Sequence, residues 1–156
     1  MRKICDLTKL LLDFSSDDGV FQTLIPRVYI IRSSIPTVSE LVLYEPAICV
    51  VAQGVKEARI GDKTYHYDSS HYLLGSMRLP VFGAVTKATK NSPYLCLRLD
   101  LDSALVSELI ALCAEMRDSE GSSSGLKLGA MDDQLVDTVV RLAETLQSPQ
   151  NIPVLN

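Results

Sequence analysis

The chain has 156 residues, 47% of them hydrophobic and 22% charged, with a formal net charge of −4. That is the balance of one globular domain, long enough to bury a core without metal or disulfide help. No apolar run reaches the ~18 residues of a membrane helix, Asp6, Lys9 and Asp13 interrupt any secretory signal, and the acidic balance argues against a domain that grips duplex nucleic acid.

In chain order, residues 1–24 form a first region, a helix and an arm. Ile4, Leu7, Leu11 and Phe14 recur at helical steps, and the small and acidic residues from Ser15 to Gly19 end the pattern. Residues 25–101 read as β. Short runs rich in Val, Ile, Leu and Tyr lie at 27–32, 41–44, 48–53, 56–60, 63–67, 71–74, 81–88 and 94–101, separated by turn residues. Eight strands with no long helix between them predict antiparallel sheets, as a sandwich or a barrel.

Two β segments can be read in detail. Gly61-Asp62 suits a two-residue type II′ hairpin turn, which pairs Ile60 with Lys63, Arg59 with Thr64, Ala58 with Tyr65, Glu57 with His66 and Lys56 with Tyr67. In the last strand Leu95, Leu97, Leu99 and Leu101 share one face, which is core. Tyr94, Cys96, Arg98 and Asp100 share the other, which is either solvent-facing or the lining of a polar cavity.

Residues 102–148 read as α. Asp102 caps a helix through Met116 or Arg117, with Leu105, Leu109, Leu112 and Met116 as its stripe. A Ser/Gly-rich connector, 118–125, follows. Asp132 or Asp133 caps a second helix, whose stripe Leu135, Val139, Leu142 and Leu146 has the four-three-four spacing of a coiled-coil seam. Ser148-Pro149 ends it. Residues 149–156 are expected to begin a linker that the sequence cuts short.

The chemistry of catalysis finds little footing. Cys5, Cys49, Cys96 and Cys113 form no C-x-x-C pair and read as reduced thiols of a cytoplasmic protein. His66 and His71 lack the third histidine and the downstream glutamate of a barrel metal site, so no metal and no cofactor are expected. No phosphate-binding loop and no G-x-S-x-G elbow occur. The two C-terminal helices are too far apart for a helix-turn-helix, since Met116 and Asp132 are 16 positions apart.

The run Tyr44-Glu45-Pro46-Ala47-Ile48-Cys49-Val50-Val51-Ala52-Gln53-Gly54 is distinctive. So are Gly61-Asp62-Lys63-Thr64-Tyr65-His66-Tyr67-Asp68, His71-Tyr72-Leu73-Leu74-Gly75-Ser76 and Leu79-Pro80. Together they resemble the amino-terminal domain of AraC-type (AraC/XylS) bacterial transcriptional regulators, in the subgroup that carries the Tyr-Glu-Pro motif. Ser70 departs from the glycine expected in the turn before His71. The resemblance implies a cupin-like antiparallel β-barrel (a double-stranded β-helix) followed by two α-helices. It further implies an effector-binding and dimerising domain whose DNA contacts belong to a C-terminal domain absent from this sequence.

The expected function is therefore regulatory and not enzymatic. An unidentified small-molecule effector binds in the barrel, a homodimer forms through Leu135, Val139, Leu142 and Leu146, and there is no membrane partner. Tyr44, Glu45, His66, Tyr72 and Arg78 are the candidate ligand-binding residues, chosen as polar or aromatic groups near strand ends. A metal-free cupin-type enzyme and a ligand-free dimerisation module are the alternatives.

Overall fold

The structure is a computed structural model that describes residues 1–102 and 125–147, together with Ala104, Ser107, Glu108 and Ala111. Those four residues are helical, within the stretch expected to form the first C-terminal helix. The remainder of that expectation, with its stripe Leu105, Leu109, Leu112 and Met116, lies outside the described residues. So do Cys113 and the tail 149–156.

Helix α1 (Ile4–Phe14) begins where the Asp6 carboxylate accepts the Lys3 N–H at 2.7 Å. It ends at Ser15, whose N–H and hydroxyl both donate to the Leu11 carbonyl. Leu7 and Leu11, one turn apart, are completely buried. Each such burial contributes about 1.5–3 kcal/mol. Ten strands follow among the described residues: β1 (Gly19–Gln22), β2 (Val28–Ser33), β3 (Glu40–Tyr44), β4 (Ala47–Gln53), β5 (Val55–Ile60), β6 (Lys63–Tyr67), β7 (His71–Gly75), β8 (Leu79–Lys87), β9 (Tyr94–Asp100) and β10 (Leu126–Ala130). Helix α2 (Asp133–Thr145) comes last. Its cap is Asp132, which accepts the Leu135 N–H at 2.7 Å.

All eight expected strands form, and the β5–β6 hairpin has the expected register at every pair. Gly61 sits at φ +57° and Asp62 at negative φ, as a type II′ turn requires. Two strands were not foreseen. β1 lies in the arm, paired with β2, and β10 follows the Ser/Gly connector, paired with β7. Leu126 and Leu128 alternate with Lys127 and Gly129, a strand signal too short to separate from the loop before it.

The strands make two antiparallel sheets. The larger has the order β1-β2-β9-β4-β7-β10 and the smaller β3-β8-β5-β6. They face each other as a sandwich, and the hydrogen-bonded ladder does not close into the expected barrel. The reason is visible at β7, where β4 takes one edge and β10 the other, so none is free for β6.

The chain crosses between sheets from β4 to β5 at Gly54, where φ is +86°. A Cβ there would stand 2.7 Å from the Lys87 carbonyl oxygen and 2.9 Å from the Tyr94 Cα.

Two apolar layers result. Helices α1 and α2 cover the outer face of the large sheet, over Val28, Ile30, Val50, Ala52, Leu95 and Leu97. The second layer fills the space between the sheets with Val51, Ala58, Tyr67, Leu73, Val81, Val85, Tyr94, Cys96 and Leu126. Strand β9 serves both. Its leucine face meets the helices, and Tyr94 and Cys96 face the small sheet as part of a packed apolar layer, so at these two positions the face is neither solvent-facing nor the lining of a polar cavity.

Candidate functional site

Strand periodicity determines which side chains enter the space between the sheets. Ala58 of β5 is fully buried there, and Lys56, two residues earlier, shares its face. The Lys56 ammonium lies 5.6 Å from the centre of the Tyr44 ring, a cation–π arrangement. The Tyr44 phenolic oxygen is in turn 3.2 Å from that of Tyr67, the residue that pairs with Lys56 across the hairpin. Space for this group comes from Gly83. A Cβ on Gly83 would stand 3.1 Å from the Tyr44 phenolic oxygen and 3.8 Å from the Lys56 Cε.

The large sheet contributes Cys49, Cys96, Tyr94 and Arg98. Cys49 pairs with Arg98 and Val51 with Cys96, so the two cysteines are diagonal neighbours on one face, and their thiols hydrogen-bond. Arg98 stacks on Tyr29, 4.5 Å from the ring centre, and donates to Asp100 at 2.9 Å.

Electrostatically the cluster is one-sided. Burial pushes the Tyr67 and Tyr94 hydroxyls well above the ordinary tyrosine range. The hydrogen bond with Cys96, followed by burial, does the same to the Cys49 thiol. These three groups stay neutral at physiological pH. Arg98 has its carboxylate in Asp100. Among the described residues Lys56 has none. A cation without a counter-anion beside phenolic donors and apolar walls suits the acidic head of a largely apolar molecule.

The five residues singled out from the sequence do not converge. Only Tyr44 reaches the cluster. Glu45 and Arg78 do find each other at 3.0 Å, but at the surface, with side chains 50% and 69% exposed. His66 is exposed and 3.8 Å from Glu57. Tyr72 packs on the opposite side of the large sheet, against the layer beneath the helices. The expected seam on α2 is occupied within the chain: Val139 and Leu146 are buried, and Leu135 and Leu142 pack partly against the same layer. Choice by proximity to strand ends did not single out Lys56, Tyr67, Tyr94, Cys49 and Cys96, which the fold gathers between the sheets. The signal was present in the hairpin register, which puts Lys56 and Tyr67 on the face of the small Ala58, and in the alternation of β9.

A separate cleft of about 220 Å³ lies between α1, α2 and the large sheet, lined by Leu10, Leu11, Phe14, Ile30, Ala143, Leu146, Asp13 and Gln147. Among the described residues, no three His, Cys, Asp or Glu side chains gather as a metal site would require, and no helix is long and apolar enough to cross a membrane.

The signature of the AraC-type transcriptional regulator N-terminus matches residues 24–156. The chain belongs to this family. No curated protein matches it. Among solved structures, ToxT from Vibrio cholerae at 1.65 Å resolution is similar, with a TM-score of 0.51 and 13% identity, over 88% of this chain and 50% of that one. ToxT from Vibrio cholerae O395 bound to (E)-4-(8-methylnaphthalen-1-yl)but-3-enoic acid gives 0.50 and 15%, over 88% and 51%. Unsaturated fatty acid bound wild-type ToxT from Vibrio cholerae strain SCE256 gives 0.50 and 11%, over 87% and 50%. At these identities the likeness is one of fold, and this AraC-type domain spans about half the length of the solved structures it matches.

Proposed function

We propose that this domain is the regulatory part of a cytoplasmic transcriptional regulator that binds a small organic acid between its two sheets and assembles as a homodimer. DNA contact belongs to a further domain of the regulator, and the domain is not an enzyme. The observation that carries the reading is the Lys56 ammonium, aimed inward beside Tyr44 and Tyr67 without a carboxylate partner among the described residues. Two of the similar structures hold molecules of this chemistry, a fatty acid and a naphthyl-substituted butenoic acid.

An effector acts on the equilibrium of such a domain only through unequal affinity for its states. Here the two sheets are joined covalently through Gly54, and the larger also carries α1 and α2. A ligand that draws Lys56 and Tyr44 toward the large sheet would alter how that sheet meets the helices.

The test is thermal stability with a cis-unsaturated fatty acid and with its methyl ester, on the unmodified chain and on Lys56→Met. The acid at about 100 times its dissociation constant stabilises by about 2.7 kcal/mol. The ester does less, and Lys56→Met loses the difference. Silence toward this acid and across a library of organic acids, with an intact dimer, would leave a dimerisation module whose interior is filled by Tyr67 and Tyr94.

A further inference from the structure

The small sheet ends at β3, and the free edge of β3 is unusually apolar. Leu41 and Leu43 are 63% and 52% exposed. They share the outer face with Phe82 and Pro80, their partners on β8. The same edge continues backward through Val38 and Ile35, 74% and 61% exposed, because Thr37 bonds to Val85 in both directions.

Edge strands in monomers are ordinarily guarded by lysine, proline or a bulge. Among the other edge strands, β6 carries Lys63, β10 carries Lys127 and β1 is only four residues long. β3 itself carries none of these guards, Pro36 lying in the stretch that leads into it, and its five pairs with β8 run without a shift in register.

We infer that β3 is a homodimer surface, on which a second copy of this chain adds its own β3 antiparallel about a dyad at Val42, joining two four-stranded sheets into one of eight strands. The inference rests on the homodimer reading given above and names its surface.

Three observations favour a second copy. First, the strand is self-complementary about Val42: Leu41 meets the partner's Leu43, and Glu40 meets the partner's Tyr44. A symmetric pair needs one patch to serve both sides. Second, Glu40 is the sole charge in the strand. Antiparallel pairing holds the two Glu40 carboxylates at opposite ends of the ladder, whereas parallel pairing would set them side by side. Third, Leu41, Leu43 and Phe82 keep the outer face apolar up to the free edge and Val42 on the other face is 44% exposed, so an added strand would bring apolar side chains together on both faces. Of the expected helical seam, Val139 and Leu146 are buried within the chain and Leu135 and Leu142 partly so, while the strip around β3 is one of the apolar surfaces left exposed among the described residues, beside Leu12, Phe14, Val20, Leu24 and Met77.

Sedimentation velocity on the chain and two double variants tests this. Leu41→Lys/Leu43→Lys sets like charges opposite each other twice and weakens dimerisation at least about 100-fold. Leu41→Lys/Leu43→Glu sets opposite charges there and returns the affinity to within about tenfold of the starting chain. Both doubles alter the same two exposed positions, so a general loss of stability moves them together, and only pairing in this register separates them. A dimer equally strong in both, or equally weak in both, overturns the surface while the homodimer stands. A starting chain that is monomeric at 100 μM overturns both the surface and the homodimer.

Discussion

The phenolic oxygens of Tyr44 and Tyr67 meet 3.2 Å apart between the sheets, one from the edge strand β3 and the other from the opposite edge strand β6. The contact spans the small sheet and ties its two edges together from within. Tyr67 is fully buried and Tyr44 only half so. Removing the Tyr67 hydroxyl therefore leaves a Tyr44 oxygen that water can still reach. Tyr67→Phe is expected to lower stability by about 1 kcal/mol. Tyr67→Ala, which also opens a cavity, should lower it by about 3–5 kcal/mol. Urea unfolding measures both, and equal losses would mean that the ring contributes nothing beyond its hydroxyl.

The same burial sets a response to alkali. Tyr67 and Tyr94 hold their protons in the fold above the pH at which the unfolded chain releases them. The unfolded state then binds fewer protons than the native one, so stability falls as pH rises past about 10 and is unaffected by these groups below that. Melting temperatures between pH 8 and 11 should show this decline, and Tyr67→Phe/Tyr94→Phe should flatten it. An identical slope in the double variant would assign the decline to other groups.

How far the sequence reveals this molecule depends on the range of the interaction. Strand positions and the β5–β6 register follow from local alternation and one Gly-Asp turn, and both formed as read. The use of two sheets followed less directly. Alternation in β9 showed two distinct faces, but which face meets helices depends on α1 and α2, more than 30 residues away in either direction. The site suffered most. Glu45 and Arg78 looked functional because they are polar and near strand ends, yet they answer each other at the surface. In the sequence Lys56 figures only as the register partner of Tyr67, and it is β8 that places Gly83 beside it. Counter-charges are a tertiary property, and no spacing rule in a single sequence supplies them.

Gly54 is one of the points at which the chain crosses between the sheets, and its backbone admits no side chain. Gly54→Ala meets strain at positive φ and two backbone atoms, the Lys87 oxygen and the Tyr94 Cα, inside 3 Å. Neither neighbour can rotate away, because both are backbone atoms of strands, Lys87 at the end of β8 and Tyr94 at the start of β9. The expected loss is more than about 2 kcal/mol, above the ordinary ~1 kcal/mol of a point substitution. Gly61→Ala, with open space around its Cβ, meets only the strain of its φ and should lose less. Parallel denaturation curves decide the order, and the reverse ranking would contradict the crossing geometry.

Asp132 rather than Asp133 caps α2, through a 2.7 Å bond from the Leu135 N–H. Asp132→Ala should cost about 1 kcal/mol, and Asp133→Ala, which removes only a first-turn charge, less than half of that. Salt separates the two contributions, since charge–dipole attraction is screened and the cap hydrogen bond largely persists. A larger loss at Asp133 in high salt would move the cap by one residue.

Leu142 on α2 decides between a seam and a core. It stands on the stripe with coiled-coil spacing, and it packs against the layer that α1 and α2 share over the large sheet. If the stripe were the dimer seam, Leu142→Glu would convert dimers to monomers and leave each monomer as stable as before. Packing within the chain demands the opposite. A carboxylate set against Val139, Leu146 and the α1 leucines loses apolar contact and is poorly solvated, at a cost of about 1–3 kcal/mol. Urea midpoints measured at two protein concentrations separate these outcomes. The fold predicts a lowered midpoint that shifts by the same amount at both concentrations, with the sedimentation coefficient of the native species unchanged. A monomeric variant with an undiminished midpoint would return the stripe to the interface and remove it from the core.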